Sequence, residues 1–168
     1  ESMFLMGKAL REQKGSLNPQ QGIEWLQQAA EAGHVEAQLE LAHCHLYGKG
    51  VPQNSFEALD WLEVAAASGH SQAQIELAKI YYNGKLTSAD HEKAYKLFEK
   101  TAAKNIAEGI YGMGAMMFEG HGTIRDYAKA LMQFKLAAKH NHGKAQAMLG
   151  FMYAQGQGVP KDYKIAVK

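Results

Sequence analysis

Apolar and small residues in the stretch 35–47 fall at Ala37, Leu41, Ala42 and His45. Steps of four, one and three between them keep all four on one helical face, which predicts a helix over about 35–47. A second stripe at Ala58, Trp61, Leu62, Ala65 and Ala66 predicts another helix, its small residues allowing close approach to the first. Between them, Gly48-Lys49-Gly50-Val51-Pro52 ends the first helix, because glycine admits turn dihedrals and proline disfavours helix just before it. Asn54 then has N-cap chemistry, and Glu57 three positions on completes a capping-box pattern. Asn18 before Pro19 predicts a similar start further upstream.

The pattern recurs without gaps. Ala37, Ala73, Gly109 and Ala145 stand 36 apart (73−37, 109−73, 145−109), and Leu41, Leu77, Met113 and Leu149 follow at the same step. So do His45, Tyr81, Met117 and Tyr153; Gly48, Gly84, Gly120 and Gly156; Asn54, Asp90, Asp126 and Asp162; and Ala58, Ala94, Ala130 and Ala166. Gly33, Gly69, Asn105 and Asn141 occupy the column where a helix turns into the left-handed region, which glycine and asparagine tolerate best. A helical hairpin of this length cannot bury its apolar face alone, so neighbouring units must cover one another and build a solenoid with one continuous core. The expected organisation is one repeat domain, 1–168, with units at about 1–34, 35–70, 71–106, 107–142 and 143–168. The last unit stops before the column of Trp25 and Trp61 recurs, so the chain reads as a fragment or as the ordered part of a longer one.

Read as Ala37-x-x-x-Leu41-Ala42-x-x-x-x-Tyr47-Gly48-x-Gly50-Val51-x-x-Asn54-x-x-x-Ala58-x-x-Trp61-x-x-x-Ala65-Ala66-x-x-Gly69, the unit resembles the Sel-one-like repeat (SLR), a relative of the tetratricopeptide repeat. The resemblance covers essentially the whole chain. It implies an all-α fold, a right-handed α-solenoid of helix-turn-helix repeats, and an adaptor that binds proteins. It also implies a bacterial protein of the periplasm or a secreted one. Two departures stand out. Gly84-Lys85-Leu86-Thr87 replaces the preferred Gly-x-Gly-Val, which predicts a different loop conformation. The third full unit carries Gly109, Gly112 and Gly114 in its first helix, each costing about 1 kcal/mol relative to alanine. Close backbone packing between helices is one reading of these glycines, and a flexible joint is the other.

In tetratricopeptide-like solenoids the first helices line the concave face, so the positions pointing away from their core stripe are the candidate partner site. These are Leu39, His43, Tyr47, Ile75, Lys79, Tyr82, Tyr111, Phe118 and Phe151. Apolar and aromatic residues on an open groove suit an extended or helical peptide, with Lys79 and Glu119 able to set its register. Tyr82 and Phe118 are equally readable as packing between adjacent first helices. Glu36, Gln72, Glu108 and Lys144 read as solvated helix starts.

Composition narrows the partner. With 18 Lys and Arg against 17 Asp and Glu, the net charge of +1 implies no bulk attraction to nucleic acid. No apolar run approaches the roughly 20 residues of a membrane helix, so no membrane insertion is expected. The oligomeric state is left open, with the monomer favoured.

No catalytic residue, cofactor or metal is expected. His34, His70 and His142 share one column after the turn, so repeat units hold them apart. His43-Cys44-His45 points in different directions around a helix and cannot converge on one ion. Phosphate-loop, nucleophile-elbow and zinc-protease motifs are missing. A penicillin-binding or hydrolysing activity linked to a cysteine-rich branch of the family finds no regular cysteine pairs, since Cys44 is the one cysteine. The competing reading is a structural or regulatory module acting through end-to-end or self-association.

Overall fold

The computed structural model describes residues 2–12 and 19–166. Among them it is all-helical: α1 Ser2–Glu12, α2 Pro19–Glu31, α3 Val35–Tyr47, α4 Ser55–Ala67, α5 Ser71–Asn83, α6 His91–Ala102, α7 Ala107–Glu119, α8 Tyr127–Lys139, α9 Gly143–Gln155 and α10 Tyr163–Ala166. The chain divides inside α5 into two compact units, Glu1–Leu77 and Ala78–Lys168. Consecutive helices pack within each: α1 on α2, α2 on α3 and α3 on α4 in the first; α6 on α7, α7 on α8, α8 on α9 and α9 on α10 in the second.

The hairpins of the four later repeats are closed by the main chain. The backbone N–H of Asn54 donates to the carbonyl of His45 at 2.9 Å, Asp90 to Tyr81 at 2.9 Å, Asp126 to Met117 at 2.9 Å and Asp162 to Tyr153 at 3.0 Å. The same residues cap the following helix. The Asn54 side chain accepts from the amides of Phe56 and Glu57, Asp90 from Lys93 and Asp126 from Lys129. These backbone donors hold the Asp90 and Asp126 carboxyls below the usual carboxylate range. The cap expected at Asn18 lies outside the described residues, although α2 does begin at Pro19.

At the other end of each hairpin, Gly33, Gly69, Asn105 and Asn141 take φ of 85°, 86°, 59° and 59°. Left-handed geometry there returns the next amide to the last turn: His34 to Ala29 O, His70 to Ala65 O, Ile106 to Thr101 O and His142 to Ala137 O. The histidine column then caps the next helix. Nδ1 of His34 accepts from the Ala37 amide at 3.3 Å, His70 from Ala73 at 3.3 Å and His142 from Ala145 at 3.2 Å. Ile106 makes no such bond.

The loop after α5 differs as its sequence predicts. Gly50, Gly122 and Gly158 have positive φ, whereas Leu86 in their column does not. Asp90 nevertheless rejoins Tyr81, so the reroute stays local.

Two cores result. In the first unit Ile23, Leu26, Ala29, Ala30, Ala37, Leu41 and Cys44 are buried together, with Trp61 packed against them. Burial stabilises by roughly 1.5–3 kcal/mol for each leucine or isoleucine. In the second unit Ile110, Met117, Leu131, Phe134, Ala137, Ala145 and Met152 form the core. The glycines of α7 let it sit close to its neighbours. A Cβ on Gly109 would meet Thr101 Oγ1 at 2.1 Å, one on Gly112 the Phe98 ring at 2.4 Å, and one on Gly114 the side chains of Gln133 and Phe134 at 3.0 Å. Close packing of this kind accounts for all three glycines.

Candidate functional site

The second unit gathers three of the expected residues around one pocket. Lys79 and Tyr82 from the end of α5, and Tyr111 from α7, line a cavity of about 230 Å³ together with Glu108, Ala115, Glu119 and Lys144. Its floor includes Gly112, Met116 and Phe98. Gly112 stands in the column filled by Glu40, Glu76 and Met148 in other repeats, and the Phe98 ring packs where its side chain would stand.

A polar network fixes the walls. Lys79 Nζ lies 2.6 Å from Glu108 Oε1, and His142 Nε2 lies 2.7 Å from Glu108 Oε2. Because Nδ1 of His142 is occupied as an acceptor at the cap of α9, Nε2 carries the proton and donates to Glu108. Burial works to raise the Glu108 pKa, but the hydrogen bonds from Lys79 and His142, with the charge of Lys79, outweigh it and hold the carboxyl below its ordinary value. The Tyr82 hydroxyl donates to Glu119. Burial first, and then nearby Glu119, pushes the Tyr82 phenol well above its usual range. Burial together with Glu108 and Glu119 raises Tyr111 likewise. Both hydroxyls are therefore neutral donors at physiological pH. Behind Tyr82 the rings of His91 and His121 stack at 4.3 Å.

The other expected residues lie elsewhere. Phe118 and Phe151 face each other across α7 and α9 with ring centroids 6.2 Å apart, and Phe118 also meets Tyr127 and Phe134. Phe118 is thus largely a packing residue, while Phe151 keeps an exposed edge. In the first unit Leu39 and His43 are half-buried and Tyr47 is exposed, with Lys49 Nζ 5.3 Å from its ring centre. His43 Nε2 contacts Glu76 Oε2 at 2.7 Å. Ile75 is only 4% exposed and presents no usable surface.

Glu108 corrects the reading of its column as solvated helix starts: it is the centre of the pocket network. The signal was in the register, since Glu108 and His142 are 34 apart (142−108) and so are Glu36 and His70 (70−36), whose side chains lie 3.8 Å apart. Among the described residues no group of three or more His, Cys, Asp or Glu is arranged to hold a metal ion. Nor is any described helix long and apolar enough to cross a membrane.

The sequence profile described as Sel1 repeat matches residues 1–34, 35–70, 71–106, 107–142 and 143–168. Among solved structures, a Sel1 repeat protein from Oxalobacter formigenes is 25% identical with a TM-score of 0.90, over 99% of this chain and 69% of that one. A protective antigen present in uropathogenic Escherichia coli strains, displaying an SLR fold, is 33% identical with a TM-score of 0.80 over 86% of this chain. This chain spans 31% of that antigen's length. The cysteine-rich protein B of Helicobacter pylori, 23% identical with a TM-score of 0.56 over 74% of this chain and 94% of that one, shares the fold. No curated protein is similar enough to count as a match.

Proposed function

Since the chain belongs to the Sel1 repeat family, a family of helical-repeat scaffolds, we propose that it captures a peptide segment of a protein partner and seats one anchoring side chain in the pocket of α5, α7 and α9. The observation that carries this reading is that the pocket is built from columns that change between repeats. Leu39, Ile75, Tyr111 and Ala147 form one such column; Leu46, Tyr82, Phe118 and Ala154 another; Tyr47, Asn83, Glu119 and Gln155 a third. Repeat architecture fixes the caps, turns and paired alanines, but it does not ask for two lysines, two tyrosines and two glutamates around one cavity. Size supports a side chain over a small molecule, because ligand pockets usually run to roughly 300–1,000 Å³ and this one is about 230 Å³. Neutral phenols and apolar floor atoms suit an aromatic or aliphatic anchor, with Lys79, Glu119 and Lys144 at hand for polar neighbours. Kinship with bacterial SLR proteins supports a periplasmic or secreted setting as part of the same proposal.

Selection of peptides from a random display library on the wild-type protein, followed by titration of the selected peptide, tests the reading. Ala115→Trp fills the cavity and Tyr111→Ala removes a wall, and each is expected to weaken binding by about tenfold or more, the effect of losing an anchor contact. Equal affinity for wild type and both variants would remove the pocket from the function.

A further inference from the structure

The second helices share one set of outward columns, yet α4 and α8 use them with opposite charge. On α4 the exposed residues Phe56, Glu57, Asp60, Glu63 and Val64 share one face. On α8 that face carries Lys129, Met132, Lys135, Leu136 and Lys139, all exposed. The columns coincide: Glu57 with Lys129, Asp60 with Met132, Glu63 with Lys135 and Val64 with Leu136, each 72 apart (129−57, 132−60, 135−63, 136−64). The helix between them shows what a self-sufficient surface looks like: α6 mixes both signs, and Lys96 pairs with Glu92 at 2.6 Å. Helix α4 contains only carboxylates and α8 only lysines, so neither can neutralise itself from within. Outside it, α8 has Asp126 beside Lys129 at 3.4 Å and the Tyr153 ring beneath Lys135. Both faces also expose large apolar side chains, with Phe56 at 80% and Met132 at 67%.

From this complementarity of charge and apolar surface we infer that α4 of one copy docks on α8 of a second copy of this chain. The contact joins two different surfaces, and each copy brings one of each, an α4 face and an α8 face. Held largely by opposite charges on two exposed helix faces, the contact is weak, reversible and strongest at low salt. It is separate from the pocket and stands whether or not a peptide binds there.

Sedimentation velocity across protein concentration, in about 0.05 M and about 0.5 M salt, tests it. Wild type is expected to show concentration-dependent growth in low salt that is lost in high salt. Glu57→Lys/Asp60→Lys and Lys135→Glu/Lys139→Glu are each expected to stay monomeric, with helical circular dichroism unchanged. Mixed one to one they regain association, because each supplies the charge the other lacks, and the chain carrying all four changes associates again by itself. A wild type that stays monomeric in low salt overturns the inference. So does association that survives either variant, or two helical variants that fail to recombine.

Discussion

His43 on α3 and Glu76 on α5 meet through Nε2 and Oε2 at 2.7 Å, side chains that are 27% and 23% exposed. The hydrogen bond to Glu76 raises the His43 pKa above its ordinary 6.5; burial opposes it, and the charges of Glu76 and Glu40 add to it. A raised folded value means that folding favours the protonated ring. This contribution is complete below about pH 6.5 and fades as pH rises through the folded value. His43→Ala should cost about 1 kcal/mol near pH 5.5, and the gap to wild type in urea denaturation should narrow by about pH 8.5. An equal gap at both pH values would count against the ion pair.

Glu108 should behave in the opposite sense. Its pKa is lowered from 4.5, so its stabilising effect is present above that value and disappears as pH falls through the folded one. Glu108→Gln should lower stability by about 1–3 kcal/mol at neutral pH and converge on wild type in acid. Thermal melts across the acid range follow the convergence directly.

Glycine substitutions separate propensity from packing. Helix propensity alone favours alanine by about 1 kcal/mol at Gly109 and Gly112, but the Thr101 and Phe98 side chains occupy the space. Both alanine variants should therefore lose about 1–3 kcal/mol. At Gly143, in the first turn of α9, a Cβ meets nothing within 4 Å and φ is not positive. Gly143→Ala should gain about 0.4–1 kcal/mol, giving shifts of opposite sign in the denaturation midpoint.

The Asn54 cap offers a fourth check. Asn54→Ala removes the acceptor used by the Phe56 and Glu57 amides and should cost about 1 kcal/mol, whereas Asn54→Asp should keep most of the stability. Hydrogen exchange at those two amides should speed up only in the alanine variant.

The fold could be read in the sequence wherever a column repeats. The left-handed turns at Gly33, Gly69, Asn105 and Asn141, and the caps at Asn54, Asp90 and Asp126, follow from residues whose chemistry is local. The site was less visible because it depends on contacts between repeats. Glu108 looks like any charged residue near a helix start until Lys79 and His142 are seen to converge on it. Ile75 shares the groove register of Leu39 and Tyr111, yet a register says which way a side chain leaves its helix and not what stands in front of it. The α7 glycines admitted two readings, and the positions of Thr101 and Phe98 supply the contacts that close packing requires.

The hairpin stitch from Asn54, Asp90, Asp126 and Asp162 to a carbonyl nine residues earlier (54−45, 90−81, 126−117, 162−153) uses peptide groups alone. Among the twenty residues, proline is the one that deletes a backbone donor. At these four positions mutation can therefore exchange the side chain almost without limit and leave the inter-helix bond in place. Substitution can rewrite what each repeat touches while a bond between peptide groups keeps these hairpins in step.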